Sequence, residues 1–171
     1  MNISVRQEKK KDYEEIYEVN KLAFGQENES RLVERIRKGD SFIPELSLVA
    51  EASGRVVGHI LFSEIKISGS SIFKTLILAP IAVIPELQRQ GIGTELMKRG
   101  MKLASELGYD SIIVVGHKEY YPRFGFKKAS SWNIKFPFEV PDEAFMAIEL
   151  VGDALEGKSG TIIYPDEFKE E

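Results

Sequence analysis

The stretch that decides the fold runs from residue 81 to residue 94: Ile81-Ala82-Val83-Ile84-Pro85-Glu86-Leu87-Gln88-Arg89-Gln90-Gly91-Ile92-Gly93-Thr94. It begins as the end of an apolar segment typical of a buried strand, continues as a polar loop, and ends where two glycines open a pattern of helical spacing. The first turn of a helix leaves backbone N–H groups unpaired at the positive end of the helix dipole. Because Gly91 and Gly93 have no side chain, a pyrophosphate can approach these amides closely. The stretch therefore predicts an anion site, with further side-chain contacts available from Gln88, Arg89 and Gln90.

Two other phosphate-binding loops do not fit this stretch. A Walker loop needs a lysine and then a serine or threonine after its second glycine, but Gly93 is followed by Thr94 and Glu95. A dinucleotide-binding fingerprint needs a third glycine three residues after Gly93, and that position holds Leu96. Neither of these two motifs therefore accounts for the predicted anion site.

Upstream of this stretch, the sequence predicts a strand, two helices and a three-stranded meander. Ile3–Gln7 is the first strand, and a helix starts at Asp12, with Glu15 three residues on as in a capping box. A second helix follows and stops at Gly39. The predicted buried faces consist of Tyr13, Ile16, Tyr17, Asn20 and Phe24 on the first helix and of Leu32, Val33 and Ile36 on the second.

Three strands are predicted between residues 46 and 83. Residues 46–51 and 56–67 flank Ser53-Gly54, which favours a tight hairpin turn, and residues 72–83 form the third strand. Pro80 cannot donate a ladder hydrogen bond, so a bulge or a local splay is expected there.

Downstream, a helix is predicted from Ile92 to Gly108, and residues 111–115 form a short apolar strand. A strand, a helix and a strand in this order form a crossover, so residues 72–83 and 111–115 should be parallel neighbours. Further strands are predicted near residues 145–150 and 161–164. The sum is an α/β (α+β) fold in which helices flank a mixed, mostly antiparallel sheet with one parallel central pair. The predicted core positions of the helix are Ile92, Leu96, Gly100, Leu103 and Leu107.

Composition limits the classes of function. The chain has 171 residues, which fits one domain over 1–171, and no cysteine, which excludes disulfides, thiolate metal sites and a cysteine nucleophile. A net charge of −4 argues against nucleic-acid binding, and no cluster of His, Asp and Glu has metal-ligand spacing, so no metal is expected. No apolar run is long enough to span a bilayer and no signal peptide is recognisable, which predicts a soluble, cytoplasmic protein without a membrane partner.

The order Gln88-x-x-Gly91-x-Gly93 after the strand residues Ala82-Val83 resembles the acyl-CoA signature of the GCN5-related N-acetyltransferases. Within that superfamily the chain is similar to the predicted acetyltransferases of the YhbS type, and the similarity extends over nearly the whole chain. The segments that carry it are Ala79-Pro80-Ile81-Ala82-Val83, Tyr120-Tyr121-Pro122-Arg123-Phe124-Gly125-Phe126, Glu143-Ala144-Phe145-Met146 and Gly160-Thr161-Ile162-Ile163-Tyr164.

This resemblance implies that the protein transfers the acetyl group of acetyl-CoA to a primary amine by direct attack in a ternary complex. The strand before the loop would be splayed from its parallel neighbour, and the pantetheine arm would pair with backbone groups of Ile81 and Val83 in the resulting wedge. Residues 3–126 would form the core, and residues 127–171 would complete the sheet and the acceptor side. The protein could also form a homodimer, since dimers are frequent in the superfamily. The residues expected to bind the acyl donor are Ile81, Ala82, Val83, Gln88, Arg89, Gln90, Gly91, Ile92, Gly93 and Thr94.

By the same resemblance, Tyr121 is the candidate general acid that protonates the leaving thiolate, because it is the tyrosine of a Tyr-x-x-x-Gly-Phe pattern. Tyr120 is the alternative, and both tyrosines could instead be packing residues of a short helix. His59, on the strand next to the splayed one, is a candidate base or proton relay, with a satisfied strand histidine as the alternative. Weaker candidates near the expected active site are Glu27, Glu29 and His117.

Two other functions stay open on the sequence. The fold could hold acyl-CoA without catalysis, as a sensor or a regulated subunit, or it could use another acyl chain or a hydroxyl acceptor. The aromatic residues Trp132, Phe136 and Phe138 form either one wall of an acceptor pocket or a packed loop. Residues 166–171 look solvated, and no role in catalysis is expected of them.

Overall fold

The computed structural model describes residues 2–169 and contains nine strands and three helices in that range. The helices are α1 (Tyr13–Phe24), α2 (Asn28–Arg37) and α3 (Ile92–Glu106). The strands are β1 (Ile3–Gln7), β2 (Phe42–Ala52), β3 (Arg55–Gly69), β4 (Ile72–Val83), β5 (Ser111–Val115), β6 (Lys127–Lys128), β7 (Ile134–Lys135), β8 (Phe145–Glu149) and β9 (Gly160–Ile163). The predicted strands 3–7, 72–83 and 111–115 therefore have the predicted bounds.

The strands form one mixed sheet in the order β1-β2-β3-β4-β5-β8-β6, with β9 beside β3 and β7 beside β9. The β4–β5 pair is parallel, as the crossover through α3 requires, and most other pairs are antiparallel. The predicted fold class is thus confirmed. Within residues 2–169, no helix is both long and apolar enough to cross a bilayer.

The helices cover opposite faces of the sheet. His59 on β3 contacts Asn20 of α1, whereas Gly58 of the same strand faces Leu96 of α3. Because successive side chains of a strand point to opposite faces, α1 lies on one side and α3 on the other. The sheet is therefore buried from both sides near the centre of β3.

The hairpin and the irregularity at Pro80 both form as predicted. Ser53 and Gly54 have φ values of 51° and 76°, the left-handed pair that a two-residue hairpin turn needs. Ile60 pairs with Ile81 and Phe62 with Leu78, so two residues of β4, Ala79 and Pro80, stand opposite one residue of β3. This mismatch is a β-bulge in β4.

The parallel pair is short, and this opens a wedge in the sheet. β4 pairs with β5 only at Leu76–Ile112 and Ile77–Ile113. Beyond these pairs, β4 continues to Val83 beside β3, while β5 continues beside β8. From Leu78 onward, the edge of β4 that faces β5 therefore has no strand paired to it among the described residues. This is the predicted splay.

The start and the buried face of α1 differ from the prediction. The Asp12 carboxylate does not cap the helix; it accepts hydrogen bonds from the Lys9 N–H (2.7 Å) and from Arg6 (2.7 Å). Glu15 instead accepts the N–H of Val56 at 3.0 Å. The buried residues are Ile16, Val19 and Asn20, whereas the predicted Tyr13 and Phe24 are 37% and 40% exposed. Contacts with distant strands, rather than local capping, therefore set the orientation of this helix.

The two predicted helix stops have different outcomes. Gly108 ends α3 as predicted: it is left-handed (φ 93°), and its N–H and that of Tyr109 bind the carbonyls of Ser105 and Ala104, which is a Schellman motif. Leu107, predicted to be buried, is 43% exposed because the chain turns away there. Gly39 follows α2, which ends at Arg37, by the same two residues, but it is not left-handed, so α2 ends at the predicted place without a left-handed glycine cap.

The tail is packed against the domain, contrary to the prediction of a solvated segment. Asp166–Phe168 forms a 3₁₀ turn next to α2, and Phe168 is only 5% exposed. The Ser41 hydroxyl donates to the Glu167 carboxylate at 2.5 Å, and Arg35 Nε donates to the Glu167 carbonyl at 3.0 Å. Residues 170 and 171, which were predicted to belong to the same solvated tail, lie outside the described residues.

Candidate active site

A cleft of about 570 Å³ opens between the end of β4, the loop that follows it, and the segment after β5. Nine of the ten residues predicted to bind the acyl donor line it. These are Ile81, Ala82, Val83, Gln88, Arg89, Gly91, Ile92, Gly93 and Thr94. The cleft therefore lies at the wedge between β4 and β5 and at the first turn of α3.

The loop between β4 and α3 is shaped by local contacts. Gln88 Nε2 donates to the carbonyl of Val83 at 2.9 Å and so folds the loop back onto the strand. Arg89 and Gly91 are both left-handed, with φ values of 64° and 87°. A glycine tolerates that conformation without strain, whereas other residues adopt it rarely. This loop conformation places the N-terminus of α3 at the wall of the cleft.

The first turn of α3 presents free donors. The first amide with a helical partner is that of Glu95, which donates to the Gly91 carbonyl at 3.1 Å. The N–H groups of Ile92, Gly93 and Thr94 consequently have no acceptor within the helix. With the helix dipole behind them, they form a site that favours an anion, as the sequence predicted.

Gln90 is the one predicted donor-binding residue that does not line the cleft. Its side chain lies over a neighbouring depression with Ile3 and Glu95, and its Nε2 is 3.4 Å from the Glu86 carbonyl. The left-handed residues on either side of Gln90 reverse the chain at this point. Spacing alone could not show on which side of the loop this side chain would fall.

The two tyrosines have different surroundings. Tyr120 is half-buried and lines the cleft, whereas Tyr121 is 8% exposed and does not line it. The Tyr121 ring packs edge-on against Tyr120 and Phe126, with centroids 5.1 Å and 5.7 Å apart, and lies close under Gly116 at the end of β5. Burial raises the pKa of both phenols, so both are protonated at neutral pH.

Residues that the sequence did not assign to the donor site also line the cleft. They are Leu87, His117, Tyr120 and Arg123. Arg123 stands three residues after Tyr120, and side chains at this spacing eclipse in a 3₁₀ helix. The Arg123 guanidinium accordingly stacks on the Tyr120 ring, 4.8 Å from its centroid. The short turn Tyr121–Phe124 was the signal that could have revealed this pair.

His59 lies in a buried polar network rather than in the cleft. Its ring is fully buried, with Nδ1 at 3.2 Å from Asn20 Nδ2 and Nε2 at 3.0 Å from Ser47 Oγ. Asn20 Nδ2 also donates to the Ile16 carbonyl at 3.0 Å, so the amide nitrogen faces the ring. This assigns the neutral tautomer in which Nδ1 accepts from Asn20 and Nε2–H donates to Ser47.

The network continues from Ser47 to a carboxylate. Ser47 Oγ donates to Glu8 Oε1 at 2.6 Å, and Arg37 binds the same carboxylate through two nitrogens at 2.9 and 3.0 Å. Burial, and to a lesser extent the charge of Arg37, lowers the pKa of His59 to about 3. The role of base or relay given to His59 stays a prediction, and its enclosure favours a relay over contact with an acceptor.

The weaker candidates near the helix–helix joint are Glu27 and Glu29. Glu27 accepts a hydrogen bond of 2.6 Å from the Tyr17 hydroxyl, which lowers the pKa of this carboxyl, and Glu29 accepts from Gln26 at 3.1 Å. Within residues 2–169, no three His, Asp or Glu side chains lie close enough together to hold a metal ion.

Known proteins share this fold and part of this sequence. The profile of the Acetyltransferase (GNAT) family matches residues 12–126. The uncharacterised N-acetyltransferase YjhQ of Escherichia coli (strain K12) is 39% identical over 136 residues, which cover 78% of this chain and 75% of that protein. The uncharacterised N-acetyltransferase YhbS of the same strain is 31% identical over 147 residues, which cover 85% and 86%.

Two crystal structures resemble the whole chain. YhbS from Escherichia coli in complex with CoA superposes with a TM-score of 0.92, at 27% identity, covering 98% of this chain and 92% of that one. A GNAT family acetyltransferase from Brucella melitensis in complex with acetyl-CoA gives a TM-score of 0.80, at 28% identity, covering 98% and 99%. The chain therefore belongs to the GNAT family of acetyltransferases, and the predicted resemblance to the YhbS type is confirmed.

Proposed function

We propose that this protein transfers the acetyl group of acetyl-CoA to a primary amine by direct attack in a ternary complex. The observation that carries this proposal is the cleft at the first turn of α3, which nine of the ten predicted residues line. The complexes of the two similar structures with CoA and acetyl-CoA support it. The acceptor is defined here only by its chemistry, as an amine that must be neutral when it attacks.

The open edge of β4 is the proposed track for the pantetheine arm. One edge of β4 pairs with β3 at Ile81 and Val83, while the edge toward β5 has no paired strand there among the described residues. Backbone N–H and C=O groups that lack a strand partner need another partner, and an amide-containing ligand supplies both kinds. The acyl carbonyl would then lie near the bulge at Ala79 and Pro80.

The chemistry requires one proton to leave the amine and one to reach the sulfur. An amine resembling lysine has a pKa of about 10.4, so its neutral form costs roughly 4–5 kcal/mol at pH 7. The neutral amine nitrogen forms a bond to the acyl carbon and then loses one proton to water, the C–S bond breaks, and the thiolate takes a proton. We propose the Tyr121 hydroxyl as the donor because Tyr121, unlike its neighbour Tyr120 on the cleft wall, is the tyrosine of the Tyr-x-x-x-Gly-Phe pattern and keeps its proton at neutral pH.

Isothermal titration of acetyl-CoA, with desulfo-CoA and ADP as comparison ligands, tests the donor site. We expect micromolar binding, and Gly91→Glu should raise the Kd at least about tenfold, because a carboxylate would oppose the pyrophosphate at the helix N-terminus. Gly157→Glu is the matched control: Gly157 is also left-handed, at 78°, has open space around its Cα and lies outside the cleft.

Equal effects of the two substitutions would show that the loss is not specific to the loop. No detectable binding to folded wild-type protein would contradict the proposed function. Binding would be followed by a screen of amines in which the release of free thiol reports turnover. Protein amines, small amines and amino acids would be compared in that screen at equal concentration.

A further inference from the structure

The Tyr120 hydroxyl lies directly over Gly93 in the first turn of α3. A Cβ atom built on Gly93 would stand 2.9 Å from Tyr120 Oη, closer than such atoms approach in proteins. Apart from the backbone of its own helix and its chain neighbours, the one other atom of the described residues within 4 Å of that position is Ile81 Cδ1, at 4.0 Å. The hydroxyl oxygen of Tyr120 is therefore the part of the side chain that lies against Gly93, and the ring carbons are farther away.

The Tyr120 ring is held in this position by three neighbours. Its centroid is 5.1 Å from that of Tyr121 and 5.4 Å from that of Phe124, both in edge contacts, and the Arg123 guanidinium covers one face. Edge contacts between aromatic rings and a cation over a ring face both favour one orientation of the ring. The phenol cannot retreat from Gly93 without disturbing them.

Gly91 and Gly93 are glycines for different reasons. Gly91 is left-handed at 87°, and beyond its chain neighbours no atom of residues 2–169 lies within 4 Å of the position a Cβ would take, so its backbone conformation favours glycine. Gly93 is an ordinary residue of the α3 helix, with no left-handed φ, so its backbone would accept alanine. What a side chain at Gly93 would meet is the Tyr120 hydroxyl.

The Tyr120 hydroxyl is a free donor on the cleft wall. It makes no hydrogen bond to any residue of 2–169, although the side chain is half-buried. Burial raises the pKa of this phenol, which keeps the proton on the oxygen at neutral pH. A half-buried donor without a partner gains from a ligand that brings an acceptor.

We propose that Tyr120 positions the acyl donor: its hydroxyl closes over the first turn of α3 and donates to the bound acyl-CoA, and Gly93 leaves the space for that hydroxyl. This inference rests on the proposed acyl-CoA function. It separates the two tyrosines, with Tyr120 holding the ligand where it passes between β4 and α3, and Tyr121 acting on the sulfur.

A double-mutant cycle read by titration of acetyl-CoA tests the proposal. We expect Gly93→Ala to raise the Kd about tenfold in the wild-type background, because the methyl group displaces the phenol. In the Tyr120→Phe background the same substitution should change the Kd twofold or less, because the opposing oxygen is gone. Tyr120→Phe alone should raise the Kd about 3- to 10-fold through the lost hydrogen bond.

Two controls accompany the cycle. Gly91→Ala strains the backbone without meeting any atom, so its effect on the Kd should be the same with and without Tyr120→Phe. Tyr13 on α1 is a matched control, because its ring is also covered by an arginine, with Arg37 Cζ 3.8 Å from the ring centroid, but it lies outside the cleft. Tyr13→Phe should therefore leave the Kd for acetyl-CoA unchanged.

The outcomes are distinct. If wild-type protein binds acetyl-CoA but Gly93→Ala has the same effect in both backgrounds, the Tyr120–Gly93 coupling is overturned and the proposed function stands. If Tyr120→Phe leaves the Kd unchanged, the hydrogen bond to the ligand is overturned. If folded wild-type protein binds no acetyl-CoA, the proposed function fails first.

In turnover, Tyr120→Phe should raise the KM for acetyl-CoA, whereas Tyr121→Phe should lower kcat.

Discussion

At the scale of single residues, His59 is the clearest case of a side chain whose protonation is tied to folding. It is fully enclosed, and its two ring nitrogens are engaged by Asn20 and Ser47. The charged groups that face it are Glu8, whose Oε1 is 3.9 Å from Nε2, and Arg37, which binds that carboxylate. A proton on Nδ1 would face the N–H of the Asn20 amide, and two donors cannot form a hydrogen bond. The folded protein therefore favours the neutral imidazole.

We expect this to make stability depend on pH. The folded pKa of His59 is about 3 and the ordinary value is 6.5, so between these pH values the unfolded state binds the extra proton. The stabilisation is fully present above pH 6.5 and is lost as the pH falls below it, by about 2 kcal/mol at pH 5. Urea unfolding of wild type and His59→Gln from pH 5 to pH 8 measures the difference.

His117→Gln serves as the control for that measurement, because His117 is exposed in the cleft wall. The pH-dependent difference between wild type and variant should appear for His59 and not for His117. A wild-type stability that stays level from pH 8 to pH 5 would contradict the assigned buried tautomer.

The Tyr121 hydroxyl is the proposed acid, and its removal should affect turnover rather than donor binding. We expect Tyr121→Phe to lower kcat about 10²-fold, because a positioned acid contributes roughly 10²–10⁴. The Kd for acetyl-CoA should change little. Thiol release with an amine identified by the acceptor screen gives kcat, and unchanged turnover would remove Tyr121 from the chemistry.

At the scale of elements, the packing of α3 on the sheet depends on a glycine. Gly100 lies in the middle of α3 against the ring of the fully buried Phe62 on β3, and a Cβ there would collide with that ring. Alanine has a higher helix propensity than glycine by about 1 kcal/mol, but overpacking a core costs about 1–3 kcal/mol. The collision should therefore outweigh the gain in propensity.

We expect Gly100→Ala to lower the free energy of unfolding by about 1–2 kcal/mol, measured by urea denaturation. Phe62→Leu provides space at the same contact, so Gly100→Ala should be nearly neutral in that background. A stabilising effect of Gly100→Ala alone would mean that helix propensity decides at this position.

The C-terminal turn is the second element whose role comes from packing. Phe168 is 5% exposed and joins an aromatic cluster through Tyr164, with ring centroids 5.6 Å apart. We expect Phe168→Ala to lower the free energy of unfolding by about 3 kcal/mol, because it leaves a cavity beside α2. Lys169→Ala, at an exposed neighbour, is the control, and equal stability of the two variants would show that the turn is not anchored.

At the scale of the whole molecule, ligand binding should be visible as thermal stabilisation. The cleft joins β4, the first turn of α3 and the segment after β5, so a ligand there holds together elements that are distant in sequence. Acetyl-CoA at 100 times its Kd should stabilise the fold by about 2.7 kcal/mol, which corresponds to a rise in Tm of roughly 5–10 °C. At the same acetyl-CoA concentration the rise should shrink to about half or less in Gly91→Glu, because its Kd is at least about tenfold higher, and it should persist in Gly157→Glu.

The sequence by itself determined the meander of β2 to β4, the crossover to β5 and the glycine-containing turn that starts α3. These features depend on residues close together in the chain: Ser53-Gly54 fixes a hairpin, Pro80 interrupts a ladder, and Gly91 permits the left-handed turn that starts α3. The bulge at Pro80 followed because a proline cannot donate the hydrogen bond that a regular ladder needs, whereas the splay of β4 from β5 was expected from the resemblance to the acetyltransferase family.

Only the tertiary structure decided which side chains meet. It placed Tyr120 rather than Tyr121 on the cleft wall, enclosed His59 between Asn20 and Ser47, and anchored the tail through Glu167. These contacts join residues that are far apart in the chain, and a one-position rotation of a helix or loop changes them all. Local propensity does not specify such rotations, because they are set by packing against elements from elsewhere in the chain.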